Sequence, residues 1–405
     1  VNGATLADLG LLIPELILVG TALVLILLAR RIRNAPVAAS ATVVAALAAA
    51  ALAVWVAPGA AKSGFGGMIV LDGYARFFKV LIAATLALTA LYSGKSLEVA
   101  RVPRAEYHVL LLLAATGMML AASAVDLLTL YLGLELVTLC GYILVGIRVD
   151  RPASNEAAIK YFLLGSFASG LLLYGISLTY GITGATDFAG IAAALAQRDA
   201  GSDPLLLAAI GLVAGGLAFK IAAVPFHAWA PDAYQGASAP VAGFLATGSK
   251  AAGLAALGRV VLVAFGPEAH TFSVILVVLA GLSIVVGSLV ALPQTDMTRL
   301  LAYSSIAHAG FALLGFVAGT PEGVSATMTY ACFYVFMTLG AFGVVIALGE
   351  RGESLDGYRG LAAQRPMAAA LMLLFLLSLA GIPPTAGFAA KFVVILSAVR
   401  SGHVV

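Results

Sequence analysis

The chain is built from apolar runs about as long as a membrane is thick, joined by short polar segments. A membrane helix needs about 20 mainly apolar residues. Runs of that length suit helices, which close their backbone hydrogen bonds within the segment, rather than barrel strands. About twelve spans are predicted: 8–29, 37–57, 74–94, 106–124, 126–147, 155–181, 205–235, 239–264, 271–292, 301–318, 322–349 and 366–400. Only 182–204 and 350–365 are longer connections, each expected at the surface with room for a short amphipathic helix.

Two spans are overlong and interrupted. Segment 205–235 contains Pro225 and Pro231, and 366–400 contains Gly381-Ile382-Pro383-Pro384. Proline removes a helix hydrogen bond and clashes with the preceding turn, so both helices should break. Broken backbone at membrane depth survives only inside protein or beside a water-filled cavity. The breaks lie five spans apart, and an odd offset gives two halves of opposite orientation, as in many secondary transporters. The expected fold is therefore all-α: a polytopic transmembrane helical bundle with two inverted repeats, each containing a broken helix. Residues 1–104 would hold helices 1–3, 105–265 the first repeat (helices 4–8) and 266–405 the second (helices 9–12).

Composition agrees with lipid as the solvent. Apolar residues make up 62%, charged residues 10%, and the mean hydropathy is +1.07, against about 25% charged in a soluble domain. A net charge of +3 gives no basic surface for nucleic acid. Cys140 and Cys332 lie in apolar runs without a CxxC partner and read as packing residues. The first apolar run is too long for a signal-peptide core. Arg30, Arg31 and Arg33 follow the first span, Lys95, Arg101 and Arg104 the third, Arg148 and Arg151 the fifth, Arg299 the ninth, and Arg351, Arg359 and Arg365 the eleventh. Basic loops stay in the cytoplasm, which sets the N-terminus on the non-cytoplasmic side.

Against that background, ionisable residues in mid-span stand out, since each costs about 2.5–3.5 kcal/mol on insertion scales. Glu135, Lys220, Lys250 and His308 are central in their spans, and Lys391 follows the second break by about two turns. Spread over five helices at one depth, they form a line across the membrane plane rather than a ladder through it. Such a line fits a relay reached from each face by a half-channel. Burial and pairing push pKa values in opposite directions, so making and breaking a Glu135–Lys220 pair would switch a lysine between holding and releasing a proton. Each residue also has a plainer reading: a structural ion pair for Glu135 and Lys220, snorkelling for Lys250 and Lys160, a hydrogen-bonded core residue for His308, and a cap on the broken helix for Lys391. His227 follows Lys220 by seven residues, on the same face only if the helix continued. Glu15, Asp126, Arg148, Arg259 and the Arg76–Lys79 pair are expected at span boundaries.

Four stretches resemble a known family. Phe219-Lys220-Ile221-Ala222-Ala223-Val224-Pro225-Phe226-His227-Ala228-Trp229-Ala230-Pro231-Asp232-Ala233-Tyr234-Gln235-Gly236 is similar to the signature of antiporter-like subunits of respiratory complex I. Asp126-Leu127-Leu128-Thr129-Leu130-Tyr131-Leu132-Gly133-Leu134-Glu135-Leu136 carries the glutamate of the same family. The runs from Ser154 to Gly165 and from Gln294 to Gly310, with lysine at 391, resemble subunit N in particular. Ser238 stands where relatives often have proline, and the family has fourteen helices where twelve are predicted here.

The resemblance implies a proton-translocating membrane-arm subunit of NADH:quinone oxidoreductase in a bacterial inner membrane, packed against other membrane-arm subunits and the lipid bilayer. Glu135 and Lys220 would be the controlling pair, Lys250 would join the half-channels, His308 would link the second repeat, and Lys391 would face the periplasmic exit. Lys160 and His227 complete the expected proton-transfer set. This chain would bind no cofactor or metal; NADH, quinone, FMN and iron–sulfur clusters would belong to partner subunits. Neither a nucleotide fingerprint nor a cysteine cluster is present in the sequence. The main alternative is a subunit of a multisubunit cation/proton antiporter without redox coupling. A haem-binding membrane cytochrome is disfavoured because His108, His227, His270, His308 and His403 offer no stacked pair within one span; a scaffold subunit whose charges only hold it to neighbours would be favoured if Lys220→Met and Glu135→Gln assembled and pumped normally.

Overall fold

The computed structural model describes residues 6–29, 35–56, 61–99, 102–197 and 203–402. Arg30, Arg31, Arg33, Arg101 and His403 lie outside the described residues. The helices are α1 (Leu6–Leu11), α2 (Ile13–Leu27), α3 (Ala35–Trp55), α4 (Gly73–Val99), α5 (Arg104–Ser123), α6 (Leu127–Val145), α7 (Pro152–Thr183), α8 (Phe188–Leu195) and α9 (Pro204–Lys220). They continue with α10 (Trp229–Gly236), α11 (Ala239–Phe244), α12 (Lys250–Arg259), α13 (Ala269–Ala291), α14 (Met297–Val317), α15 (Pro321–Leu348), α16 (Leu361–Gln364), α17 (Pro366–Ala380) and α18 (Ala386–Arg400). Among the described residues nine helical segments are long and apolar enough to cross a membrane. Three shorter apolar helices, Ile13–Leu27, Pro204–Lys220 and Pro366–Ala380, account for the remaining predicted spans.

One element was not expected. Lys62–Gly64 (β1) and Ile69–Leu71 (β2) form a two-stranded antiparallel ribbon beside the start of α4. Three-residue strands around a Gly-rich turn leave no alternating pattern to read. Of the two longer connections, 182–204 does carry an amphipathic helix, α8, with Phe188, Ile191 and Leu195 all buried on one side. The other, 350–365, folds instead into short 3-10 turns and the four-residue α16.

Both predicted breaks are present. Helix α9 ends at Lys220; Ala222 takes a left-handed φ of 56°, and regular helix resumes at Trp229. The freed backbone groups find partners inside the protein, as membrane depth requires: Trp229 Nε1 donates to the Phe219 carbonyl at 3.0 Å, and Val224 N donates to Ser283 Oγ at 2.9 Å. The second break separates α17 from α18, with Gly381 at φ 84° closing α17. Between these, 239–264 is helical throughout but not uniformly α: π turns at Leu245–Ser249 and Val260–Ala264 flank α12.

Small residues set the close packing. Helices α5 and α6 cross at Gly117 and Gly133, where a Cβ on Gly117 would come within 2.6 Å of the Gly133 carbonyl oxygen. Such contacts let backbones approach where lipid supplies no hydrophobic drive. The span 239–264 is fully enclosed by its neighbours, whereas 266–291 is only 28% buried and presents Val278, Val285 and Leu289 outward. The helix carrying Lys250 is thus the axis of the bundle.

Candidate functional site

Lys220 is the last residue of α9, so its ammonium sits at the carbonyl end of a half-helix, where the macrodipole favours a cation. Its Nζ lies 2.9 Å from Glu135 Oε1 on α6, with the lysine side chain 3% and the glutamate 19% exposed. Two hydroxyls complete the cradle: Ser169 Oγ on α7 donates to Glu135 Oε1 at 2.5 Å, and Thr138 Oγ1 accepts from Lys220 Nζ at 3.3 Å. The carboxylate is therefore held by a cation and a neutral donor at once, so its position survives loss of the proton donor's charge.

Lys250 is enclosed at 2% exposure and has no carboxylate partner among the described residues. Its Nζ donates to the Ser305 carbonyl of α14 at 2.6 Å. A cavity of about 10 Å³ lined by Lys250, His308, Tyr330 and Tyr334 adjoins it, the size of a single water site. His308 Nδ1 and Tyr330 Oη are 2.5 Å apart. The histidine ring also reaches toward the Leu379 carbonyl. That carbonyl accepts from Lys391 Nζ at 3.0 Å, as does the Ala380 carbonyl. Lys391 therefore caps the carbonyl end of α17 across the second break, and its ammonium stands 4.7 Å from the centre of the Phe311 ring. Lys250, His308 and Lys391 form one contiguous polar string, and the capping role of Lys391 coexists with its place in it.

The structure does not bring Lys160 into that string. Its side chain is 46% exposed near the end of α7 and pairs with Glu156 at 2.7 Å and Asp232 at 3.1 Å. Asp232 is also bound by Arg299 at 2.6 Å, so the short α10 is tied to α7 and α14 together. His227 lies in the first break, half-buried, with a buried Nδ1 that has no protein partner and with Lys250 near enough for their charges to interact.

Comparison with known proteins identifies the lineage. Residues 124–405 match the family described as NADH:quinone oxidoreductase/Mrp antiporter, transmembrane. NADH-quinone oxidoreductase subunit N of Desulfovibrio desulfuricans is 46% identical, the alignment covering 98% of this chain and 82% of that protein. The chain belongs to the subunit N family. Among solved structures, a chain of respiratory complex I from Thermus thermophilus superposes with a TM-score of 0.79 at 36% identity, over 96% of this chain and 83% of that one. A chain of the Mrp complex from Dietzia gives 0.82 at 26% identity, over 98% and 75%. The backbone is common to both groups, and the side chains favour the oxidoreductase subunit.

Set within the subunit N family, several partners were not foreseen from sequence. Thr138 lies one turn from Glu135 on α6 and was within reach of a helical-spacing argument. Ser169 and Tyr330 approach from other helices and left no local signal. The larger correction concerns Glu15 and Lys79, expected at span boundaries. They form a buried ion pair of 2.7 Å between α2 and α4, with side-chain exposures of 5% and 0%. Tyr74 of α4 bonds the Leu254 and Ala255 carbonyls, while Thr85 touches Gly248; Lys79, between them, is level with Lys250. Arg259, by contrast, is a boundary group: it grips Asp72 at 2.6 and 3.1 Å, just before α4. Burial alone would raise the Asp72 pKa, but the hydrogen bonds and charge of Arg259 prevail and hold it below the ordinary carboxylate value.

Proposed function

We propose that this chain is the proton-translocating subunit N of the membrane arm of an NADH:quinone oxidoreductase. Protons would pass along the Glu135–Lys220 pair, Lys250, His308 and Lys391, driven by quinone reduction in partner subunits. The observation that carries the reading is the set of buried polar groups itself: the Glu135–Lys220 ion pair, and the separate string that runs from Lys250, with its water-sized gap, to a lysine on a broken-helix terminus. Each proton moved outward works against about 2.3 kcal/mol per 100 mV of membrane potential, so the string needs a driven switch. Weakening the Glu135–Lys220 contact leaves Lys220 with the Thr138 and Ser169 hydroxyls and the half-helix dipole for support, which favours handing its proton to the neighbouring lysine.

Further parts of the reading concern topology. The basic face, where Arg148, Arg151, Arg299 and Arg365 gather, is the cytoplasmic one, and the N-terminus lies opposite. The two breaks mark two inverted repeats, the first spanning 105–265 and the second beginning at 266. His227, at the first break, serves as an auxiliary proton group near Lys250, and Lys160 supplies protons at the cytoplasmic surface. The antiporter alternative shares this chemistry, and the 46% identity to subunit N favours the redox-coupled assignment.

The test is proton pumping and quinone reduction by the reconstituted complex carrying Glu135→Gln, with assembly checked on a native gel. An assembled complex with both activities strongly reduced supports the relay. An assembled complex with unchanged activity removes Glu135 from the mechanism.

A further inference from the structure

Helices α6 and α7 meet along a ladder of polar and small residues. Glu135, Thr138 and Tyr142 recur on one face of α6 at three- and four-residue spacing. Ser169 and Gly165, four residues apart, answer them from α7. The first two rungs are satisfied. Glu135 binds Lys220 and Ser169, and Thr138 accepts from Lys220 while donating to the Leu134 and Glu135 carbonyls. The third rung is not. Tyr142 is 8% exposed, and its Oη is sealed from solvent with no protein hydrogen-bond partner among the described residues. Folded proteins rarely leave a buried hydroxyl unmet, so this one calls for an account.

The fold makes room for it. A Cβ on Gly165 would collide with Tyr142 Oη and come within 2.7 Å of Cζ, so glycine is what lets the phenol tip lie against α7. The ring is fixed by edge contacts, its centroid 4.7 Å from that of Tyr161 and 5.6 Å from that of Phe162. So placed, the oxygen faces Thr138, close enough to interact without closing a hydrogen bond, and lies within range of the Glu135 charge. Thr138 spends its proton on its own helix, so it can offer Tyr142 only a lone pair. The phenol proton is thereby aimed at Thr138, and the phenol lone pairs stay free beside the cradle of Lys220.

We infer that Tyr142 is a positioning residue of the switch, whose hydroxyl seats the Lys220 ammonium when the Glu135 contact opens. The inference rests on the proposed reading that this contact opens and closes during pumping. In the closed state every N–H of Lys220 has a partner: Glu135 at 2.9 Å, Thr138 at 3.3 Å and Ser169 at 3.5 Å. Opening frees one of them. Thr138 stands between Lys220 and Tyr142, so the freed N–H passes a single hydroxyl to reach the phenol lone pair. The lysine then exchanges an anionic acceptor for a neutral one. That loosens its hold on the proton while keeping the side chain ordered in a site closed to water.

The experiment uses the assembled complex. Tyr142→Phe removes one oxygen and keeps the ring against Tyr161 and Phe162. Because that oxygen bonds nothing in the closed state, the melting midpoint should hold or rise. NADH-driven proton pumping in vesicles should nevertheless slow about five-fold, the rate equivalent of one ordinary hydrogen bond. The infrared difference spectrum between the NADH-reduced and oxidised complex should show a tyrosine C–O band that disappears in Tyr142→Phe. Pumping equal to the parent, or a tyrosine difference band unaltered by the substitution, overturns the seat. So does a midpoint that falls together with the pumping rate, or a failure to assemble, because either makes the hydroxyl part of the scaffold. Loss of pumping in Glu135→Gln beside a normal Tyr142→Phe sinks this inference and leaves the proposed function standing; normal pumping in both removes the reading beneath it.

Discussion

The Glu135–Lys220 contact can be separated into what holds the fold and what moves protons. At 2.9 Å and an effective dielectric constant near 20, the gross attraction is about 6 kcal/mol. Desolvation of both groups offsets most of that, so the pair contributes little net stability. Removing one partner is different: it strands a charge in a site with 3% or 19% side-chain exposure, at a cost of about 3–5 kcal/mol. Lys220→Met alone and Glu135→Leu alone should therefore each lower the temperature at which the detergent-solubilised complex loses its monodisperse peak. The double variant should recover most of either loss, because Ser169 can turn to a carbonyl of its own helix and Thr138 already donates to the Leu134 and Glu135 carbonyls. Its proton pumping should stay abolished. Stability losses that simply add, with coupling below about 0.5 kcal/mol, would refute the pairing argument. A stable double variant that pumps like the parent would show that the pair is a structural staple.

Three further outcomes follow. Lys391→Arg keeps the charge and the donors that cap Leu379 and Ala380 but holds its proton at any working pH; it should assemble normally and pump poorly, and normal pumping would reduce Lys391 to a cap. Gly117→Ala forces its Cβ against the Gly133 carbonyl at 2.6 Å, so α5 and α6 must separate; a loss of about 1–3 kcal/mol should appear as a lower melting midpoint, and an unchanged midpoint would contradict the close crossing. The Asp72–Arg259 tether should respond to acid alone. Asp72 has its pKa lowered below the ordinary 3.8 in the folded state, so its contribution is complete above that value and disappears as pH falls through the lowered one. The gap in melting midpoint between the parent and Asp72→Asn should therefore be flat from about pH 8 to pH 5 and close only below about pH 4; a gap that narrows between pH 8 and 6 would contradict this.

The sequence was most informative where a residue violates its solvent. Charges in apolar runs and prolines in overlong helices carry large local penalties, so Glu135, Lys220, Lys250 and both breaks were visible without neighbours. Depth was harder to read. Helix α7 has 32 residues, about 48 Å at 1.5 Å per residue against a hydrocarbon core of about 30 Å. Its excess hides where Lys160 emerges, and the structure puts that lysine among surface carboxylates. The opposite error befell Lys79, six residues into the 27-residue α4 and buried level with Lys250. A long tilted helix loosens the link between position in sequence and position in the membrane. Ser169 and Tyr330 needed tertiary structure because an ordinary serine or tyrosine becomes unusual only when its partners are known.

The wide turns on either side of α12 have a mechanical consequence. A broken helix moves by swinging its halves, and each swing disturbs the hydrogen bonds that patch the break. The span that carries Lys250 has no such gap; its ten central residues are joined at both ends by turns holding one residue more than an α turn. Passing that surplus residue along the chain rotates what lies between by about 100° per residue and leaves the anchored ends in place. Lys250 is the first residue beyond one of these turns. A one-residue shift between these turns would re-aim Lys250 with the ends of the span held in place, a change that a proline break does not offer.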